Sequence, residues 1–497
     1  LTIMNYQKLV RTTPENVHVP SEYIMNFIDA CEKNGIELHN LMIAKDEKVI
    51  FEGHAYPYSA NIPHYVHSMT KAFTNTAAGI AYSLGLLRLE DSVLSFFPEY
   101  APENPTEYQK AMTVKDLITM RSGMDKDING SEFRTIKTSW IQRYFQQPVP
   151  YKPGSHYFYC SGNTYMTSAI VQKVTGMTAQ DLIHKYLVPQ LGMRPFTWAK
   201  SPEGICSGNS GISICAEDII KFGLLYLNHG KYNGKQVIST EWIDRSLGLI
   251  DPVKRMDSDP LYNYHWFQSV SPDIYAAEGF LGQFCAIIPK LNMAVAITSA
   301  TDAKPKVEAD EMLYRHIVEP LLHMNMDNIH TGTSIYTSRL INQGRYMNLT
   351  PSMPKLNTPP ILGTETTIYQ ADENETNIKR FIFKCMESEI LLGIEDDRGL
   401  NWISCGLFHW KESLSGITGN YLHHEMQSEY DHIFACAWWK DSTWLSMEWR
   451  FIETAFCDYV NIHFTPEGLT FDRSVNVNSK ALSCPQVHAK LLKTSKL

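Results

Sequence analysis

The 497-residue chain has no apolar run of about 18 residues, the length that a helix needs to cross a bilayer. No helical membrane partner is expected. Its ten cysteines are scattered and form no C-x-x-C pair, which argues against a thiolate zinc site. They read as free thiols in a reducing compartment, so the cytoplasm is the expected location. Basic residues gather in no stripe and the net charge is −9, which excludes an electrostatic footprint for nucleic acid or anionic lipid. A signal-peptide pattern is also missing from the start, although Leu1 is no ordinary first residue and an upstream piece is left open. His64 and His67 stand three apart with no acidic or thiol residue beside them, a poor metal signature. They are expected to be loop imidazoles or to shape a pocket mouth. No metal and no cofactor are expected.

What is present is an ordinary globular composition, 44% hydrophobic and 20% charged, in a chain too long for one core. Two or three domains follow. The most informative stretch is Ser68-Met69-Thr70-Lys71, which opens a small, apolar-periodic run from Ala72 to Leu84, closed by Gly85. Residues three apart are neighbours on a helix, so Lys71 can reach the Ser68 oxygen. A serine hydroxyl attacks carbonyls poorly until a base takes its proton, and a partly desolvated amine can be that base. About two S-x-x-K spacings are expected by chance in a chain of this length. Two occur, and the second, Ser352 to Lys355, lies among prolines that disfavour a helix. Read alone, Ser68 is equally well a plain helix N-cap.

Further segments change that balance. Thr113 to Met124, Tyr159-Cys160-Ser161-Gly162-Asn163-Thr164, Val174-Thr175-Gly176, Leu191-Gly192-Met193, Ser213 to Leu227 and Gly279-Phe280-Leu281-Gly282-Gln283 follow in order. Together with Ser68 and Lys71 they resemble the serine β-lactamase and penicillin-binding-protein-like family over roughly residues 25 to 320. The closest resemblance is to its esterase and amidase branch, with class C β-lactamase-like carboxylesterases and 6-aminohexanoate-dimer hydrolases. The resemblance implies an α+β fold, an antiparallel sheet flanked by helices plus a helical lobe, with the active site between them. It implies that Tyr159 relays the Ser68 proton, because a phenol beside a lysine can share a proton with it. Ser161 takes the place of the Asn that holds a substrate amide in the lactamases, and Asn163 stands two residues on. Both are candidate substrate-binding residues.

The family's third element, a Lys or His, a small residue and Gly on a strand, falls on Ala277-Glu278-Gly279. No cation is there. A substrate carboxylate would lose its charge-assisted partner and meet Glu278, which argues against β-lactam hydrolysis and cell-wall processing. Glu278 and Gly279 are therefore candidate substrate-binding positions, with Gly279 equally readable as a strand bulge. The backbone N–H groups of Ser68 and Phe280 are implied to form the oxyanion hole.

The expected domains are 1–323, the hydrolase; 324–363, a linker rich in Asn, Thr, Pro and Ser; and 364–497, an antiparallel β-domain, sandwich or barrel. That last region has short strand patterns at Arg380 to Lys384, Trp402 to Ser404, Ile433 to Trp438, Trp444 to Trp449 and Tyr459 to Phe464. It is a candidate to cover the active-site mouth or to mediate homodimerisation. The function expected is a serine hydrolase acting on a small-molecule ester or amide, against a D-amino-acid peptidase, a β-lactamase, or a non-catalytic binding protein on the same fold. The presence of Ser68, Lys71 and Tyr159 together argues against the last.

Overall fold

The computed structural model describes residues 6–495 apart from 129, 254–259, 269, 325–333, 352–360 and 427. The second S-x-x-K spacing, Ser352 to Lys355, lies outside the described residues. The chain divides into two compact units, Leu1–His54, Ser59–Ser299 and Pro305–Met347 in one, and Ala55–Tyr58, Ala300–Lys304 and Asn348–Leu497 in the other.

The first unit is built on a seven-stranded sheet. Its strands are β1 (Glu37–Lys45), β2 (Lys48–His54), β3 (Tyr262–Asn263), β4 (Trp266–Gln268), β5 (Tyr275–Gly279), β6 (Gln283–Ile288) and β7 (Met293–Ala300), in the order β2-β1-β7-β6-β5-β4-β3. From β7 to β3 each neighbour is antiparallel, as is β2 on β1. Strand alternation divides the side chains between two cores. On one face Phe284, Ala286, Val295 and Ile297 pack with α1 (Ser21–Lys33). On the other, Ala277, Cys285, Ile287 and Ala296 join a core built around α2 (Thr70–Ser83), α3 (Ser161–Thr175) and α4 (Ala216–Leu227). Alanines and threonines let α2 sit buried from Thr70 to Ala81, with Phe73 stacked on Phe222 of α4 at 3.9 Å. Gly85 has φ of 72°, as a residue just past a helix end requires.

The linker expected over 324–363 is corrected in part. Residues Ile335–Arg345 form a helix, α5, within the first unit. Ser334 accepts from Thr337 N and Thr337 answers the Ser334 N–H, so the residues that read as linker composition are a helix cap. Leu340 supplies its buried contact.

The second unit is a barrel. Its strands are β8 (Thr366–Ala371), β9 (Arg380–Cys385), β10 (Glu389–Asp396), β11 (Gly399–Leu407), β12 (Lys411–Ser415), β13 (Asp431–Trp439), β14 (Trp444–Phe451), β15 (Cys457–Phe464), β16 (Gly468–Val475) and β17 (Val487–Ser495). The order β11-β10-β9-β8-β17-β16-β15-β14-β13-β12 closes through a parallel pairing of β11 with β13 at Gly406 and Leu407. The other pairings are antiparallel. Phe381, Phe383, Leu392, Ile403, Met447, Trp449 and Ile462 are all buried, which fits inward positions that alternate along each strand.

Candidate active site

Ser68 lies in a tight turn, His67–Met69, that runs into the start of α2. The turn is anchored by Val66 N donating to Ile212 O at 2.9 Å, and His67 takes a left-handed φ of 46°. Lys71 follows one turn later on the same helix face and is buried to 2% exposure. Its Nζ lies 2.8 Å from Ser68 Oγ and 2.9 Å from the carbonyl oxygen of Asn209. The loop carrying Asn209 is itself pinned to α2, since Thr74 Oγ1 donates to Gly208 O at 2.7 Å. The amine is therefore held between the serine and a fixed carbonyl.

Tyr159 precedes α3 and brings its ring under the same amine, with Lys71 Nζ 4.9 Å from the ring centroid. Tyr262 and Phe267 flank that ring at 6.1 and 6.2 Å between centroids. Gly279 closes the other side. A methyl group there would stand 2.2 Å from the Val66 carbonyl oxygen, so only glycine lets β5 approach the Ser68 turn this closely. Gly279 pairs in register with Gln283, so it is not a bulge. Phe280 comes next, its ring edge-on to His67 at 5.6 Å. The structure thus brings Ser68, Lys71, Tyr159, Gly279 and Phe280 together.

Ser161 keeps a more specific environment. Its N–H donates to Asp127 Oδ1 at 2.6 Å and its hydroxyl lies 3.4 Å from Oδ2. Burial pushes the Asp127 carboxyl up, against the Ser161 N–H bond and the charge of Lys71. Neither Asp127 nor Asn209 carries a sequence signal, because both arrive from loops far along the chain.

One candidate is corrected. Asn163 is fully buried, its amide oxygen accepting from Tyr144 Oη at 2.8 Å and its amide nitrogen facing Met120 Sδ at 3.7 Å, so it serves the core of the helical lobe. It stands four positions after Tyr159, and by then the chain has entered α3 and turned inward. Glu278 is half-buried and pairs with Phe284 of β6. Its charge reaches Tyr262, whose phenol it helps to raise. The two histidines before Ser68 are parts of the candidate site's frame. His64 lies in a short strand against Ile214, with Nε2 3.1 Å from His39 Nδ1, and both imidazoles are buried.

A serine-and-amine pair at the start of a buried helix, with a tyrosine beside it and a glycine strand across from it, fits the resemblance read in the sequence. The family model for beta-lactamase matches residues 28–319, more than half of the chain. The chain belongs to the beta-lactamase family. It is 24% identical over 223 residues to 6-aminohexanoate-dimer hydrolase from Paenarthrobacter ureafaciens, covering 41% of this chain and 56% of that protein. A Salmonella agona protein provisionally named D-alanyl-D-alanine carboxypeptidase is 21% identical over 396 residues, 61% of this chain and 89% of that one. The chain spans about half the length of several relatives it matches. Among solved structures, a Bacillus anthracis protein provisionally named 6-aminohexanoate-dimer hydrolase superposes with a TM-score of 0.54 at 17% identity, covering 64% of this chain and 88% of that one. That likeness is one of fold. Among the described residues no helix is long and apolar enough to cross a membrane.

Proposed function

We propose that the protein is a cofactor-free serine hydrolase that cleaves a small ester or amide through an acyl-enzyme on Ser68. The observation that carries the reading is the 2.8 Å approach of Lys71 Nζ to Ser68 Oγ at the start of a buried helix. In its amine form Lys71 takes the hydroxyl proton as Ser68 Oγ bonds to the substrate carbonyl carbon. The N–H groups of Ser68 and Phe280 receive the resulting oxyanion, where the Gly279 approach supports their convergence. Tyr159 returns a proton to the departing alcohol or amine, and water then hydrolyses the ester by the reverse route. None of the ten cysteines forms a disulfide, which supports a reducing, cytoplasmic setting.

Within the family the missing cation favours uncharged esters and amides over β-lactams. Ala277 sits where the resemblance calls for a Lys or His, and it is buried with no charge to offer a carboxylate. Losing a charge-assisted bond to a carboxylate costs about 1.5–3 kcal/mol, roughly 10- to 150-fold in binding. The test is hydrolysis of short-chain p-nitrophenyl esters beside a chromogenic cephalosporin. Esters should be turned over with higher kcat/KM, and Ser68→Ala should lose at least about 10³-fold in that rate. Undiminished ester hydrolysis by Ser68→Ala would overturn the reading, and efficient cephalosporin turnover would overturn the ester preference.

A further inference from the structure

The hairpin of β3 and β4 stands beside this site and none of the steps above uses it. Its two connecting residues, Tyr264 and His265, have φ of 37° and 69°. Both lie in the left-handed region, which an Asn-Gly turn enters at little cost and a Tyr-His turn does not. Side chains must repay that conformation. Tyr264 does so by packing on Trp242 at 5.6 Å in the helical core. His265 has another partner. Its Nδ1 lies 2.5 Å from Tyr262 Oη, with both side chains buried, and its Nε2 has no hydrogen-bond partner among the described residues.

Tyr262 connects this pair to the chemistry. Its ring meets Tyr159 at 6.1 Å with planes at 82°, and Tyr157 at 5.6 Å with planes at 65°. Phe267, the register partner of Tyr262, faces both Tyr262 and Tyr159. Tyr159 is therefore walled by two rings of one hairpin. Through Lys71, it is the ring on which the proton transfer depends.

We propose that Tyr262 and His265 are a positioning pair: their hydrogen bond fixes the Tyr262 ring, and that ring holds Tyr159 against Lys71. The inference rests on the serine-hydrolase reading. Burial, then the charge of Lys71, pushes the His265 imidazole well below its ordinary range. Burial, then Tyr159, Tyr157 and Glu278, holds the Tyr262 phenol well above its own. Both side chains stay neutral near pH 7. They add no charge beside Lys71 and pass no proton, and what they supply is orientation.

The test is the rate of Ser68 labelling by an uncharged fluorophosphonate in the 497-residue chain, resolved into a binding constant and a maximal rate. Tyr262→Phe removes only a hydroxyl and keeps the ring, and His265→Asn keeps a short polar side chain where the left-handed turn tolerates Asn. Each should lower the maximal rate about tenfold with the binding constant unchanged, since small misplacements cost rate and not affinity. The double variant should be no slower than the slower single one. Two folded variants that label at the wild-type rate would overturn the pair. So would losses that multiply, or losses confined to the binding constant. A wild type that takes no label at all would instead overturn the serine-hydrolase reading on which the pair stands.

Discussion

Each unit contains a glycine whose missing methyl group lets two backbone segments touch. At Gly279 a Cβ would stand 2.2 Å from the Val66 carbonyl oxygen, and at Gly468 it would stand 2.1 Å from the carbonyl oxygen of Ala489. The steric constraint is nearly the same, but its surroundings differ. Gly468 begins β16 and pairs with Lys490 of β17, so its close approach sets the register of an ordinary ladder. Gly279 ends β5 and touches the residue two before Ser68, so its close approach sets the distance between Ser68 and the strand across from it. One contact shapes a barrel. The other shapes the candidate site.

The largest effect is expected inside the site. Lys71→Ala and Tyr159→Phe should each lower ester kcat/KM, the more damaging by about 10²–10⁴-fold, with the double variant little worse than that one. Additive losses would show that the two groups act separately. Next comes Gly279→Ala, which should cost about 10²-fold in kcat by pushing β5 away from the Ser68 turn. Its melting temperature should move less than its rate. Gly468→Ala should do the reverse, losing roughly 1–3 kcal/mol of stability from overpacking while the folded protein keeps its ester kcat. Equal kinetic losses from both glycine variants would erase the distinction drawn between them.

The smallest effect concerns a charge cluster away from the chemistry. Glu217 accepts from Arg11 Nη1 at 2.7 Å, Arg11 Nη2 at 2.9 Å, Tyr6 Oη at 2.5 Å and Leu9 N at 2.7 Å. Burial raises its carboxyl, but these bonds outweigh burial and hold it down at about 2. A depressed folded value means that the stabilisation is present above the ordinary carboxylate range and is lost as pH falls from about 4.5 toward 2. Glu217→Gln should therefore cost about 1–2 kcal/mol at pH 7 and flatten acid unfolding across that window. An unchanged acid profile would contradict the assignment.

Much of the candidate site's geometry was legible because it is local. Ser68 and Lys71 are one helical turn apart, and Gly279 and Phe280 are adjacent, so spacing and motif order carried them. Asp127, Asn209, Tyr262 and His265 were not legible, because only tertiary packing brings them to Ser161, Lys71 and Tyr159. Asn163 was misassigned for a related reason: a motif offset says nothing about which way a helix has turned. In the barrel, apolar strands such as Trp444 to Trp449 announced themselves. Lys411–Ser415 and Val487–Ser495, mostly polar or exposed, did not. The helix at Ile335–Arg345 was hidden by cap residues that share their composition with linkers.

The central claim is that Ser68 becomes covalently acylated. Incubating the protein with a fluorophosphonate, followed by intact-mass measurement and peptide mapping, tests it most directly. One adduct per chain, on the peptide containing Ser68 and absent from Ser68→Ala, is the predicted result. An adduct on another residue, or ester hydrolysis by a protein that Ser68→Ala leaves fully labelled, would contradict it.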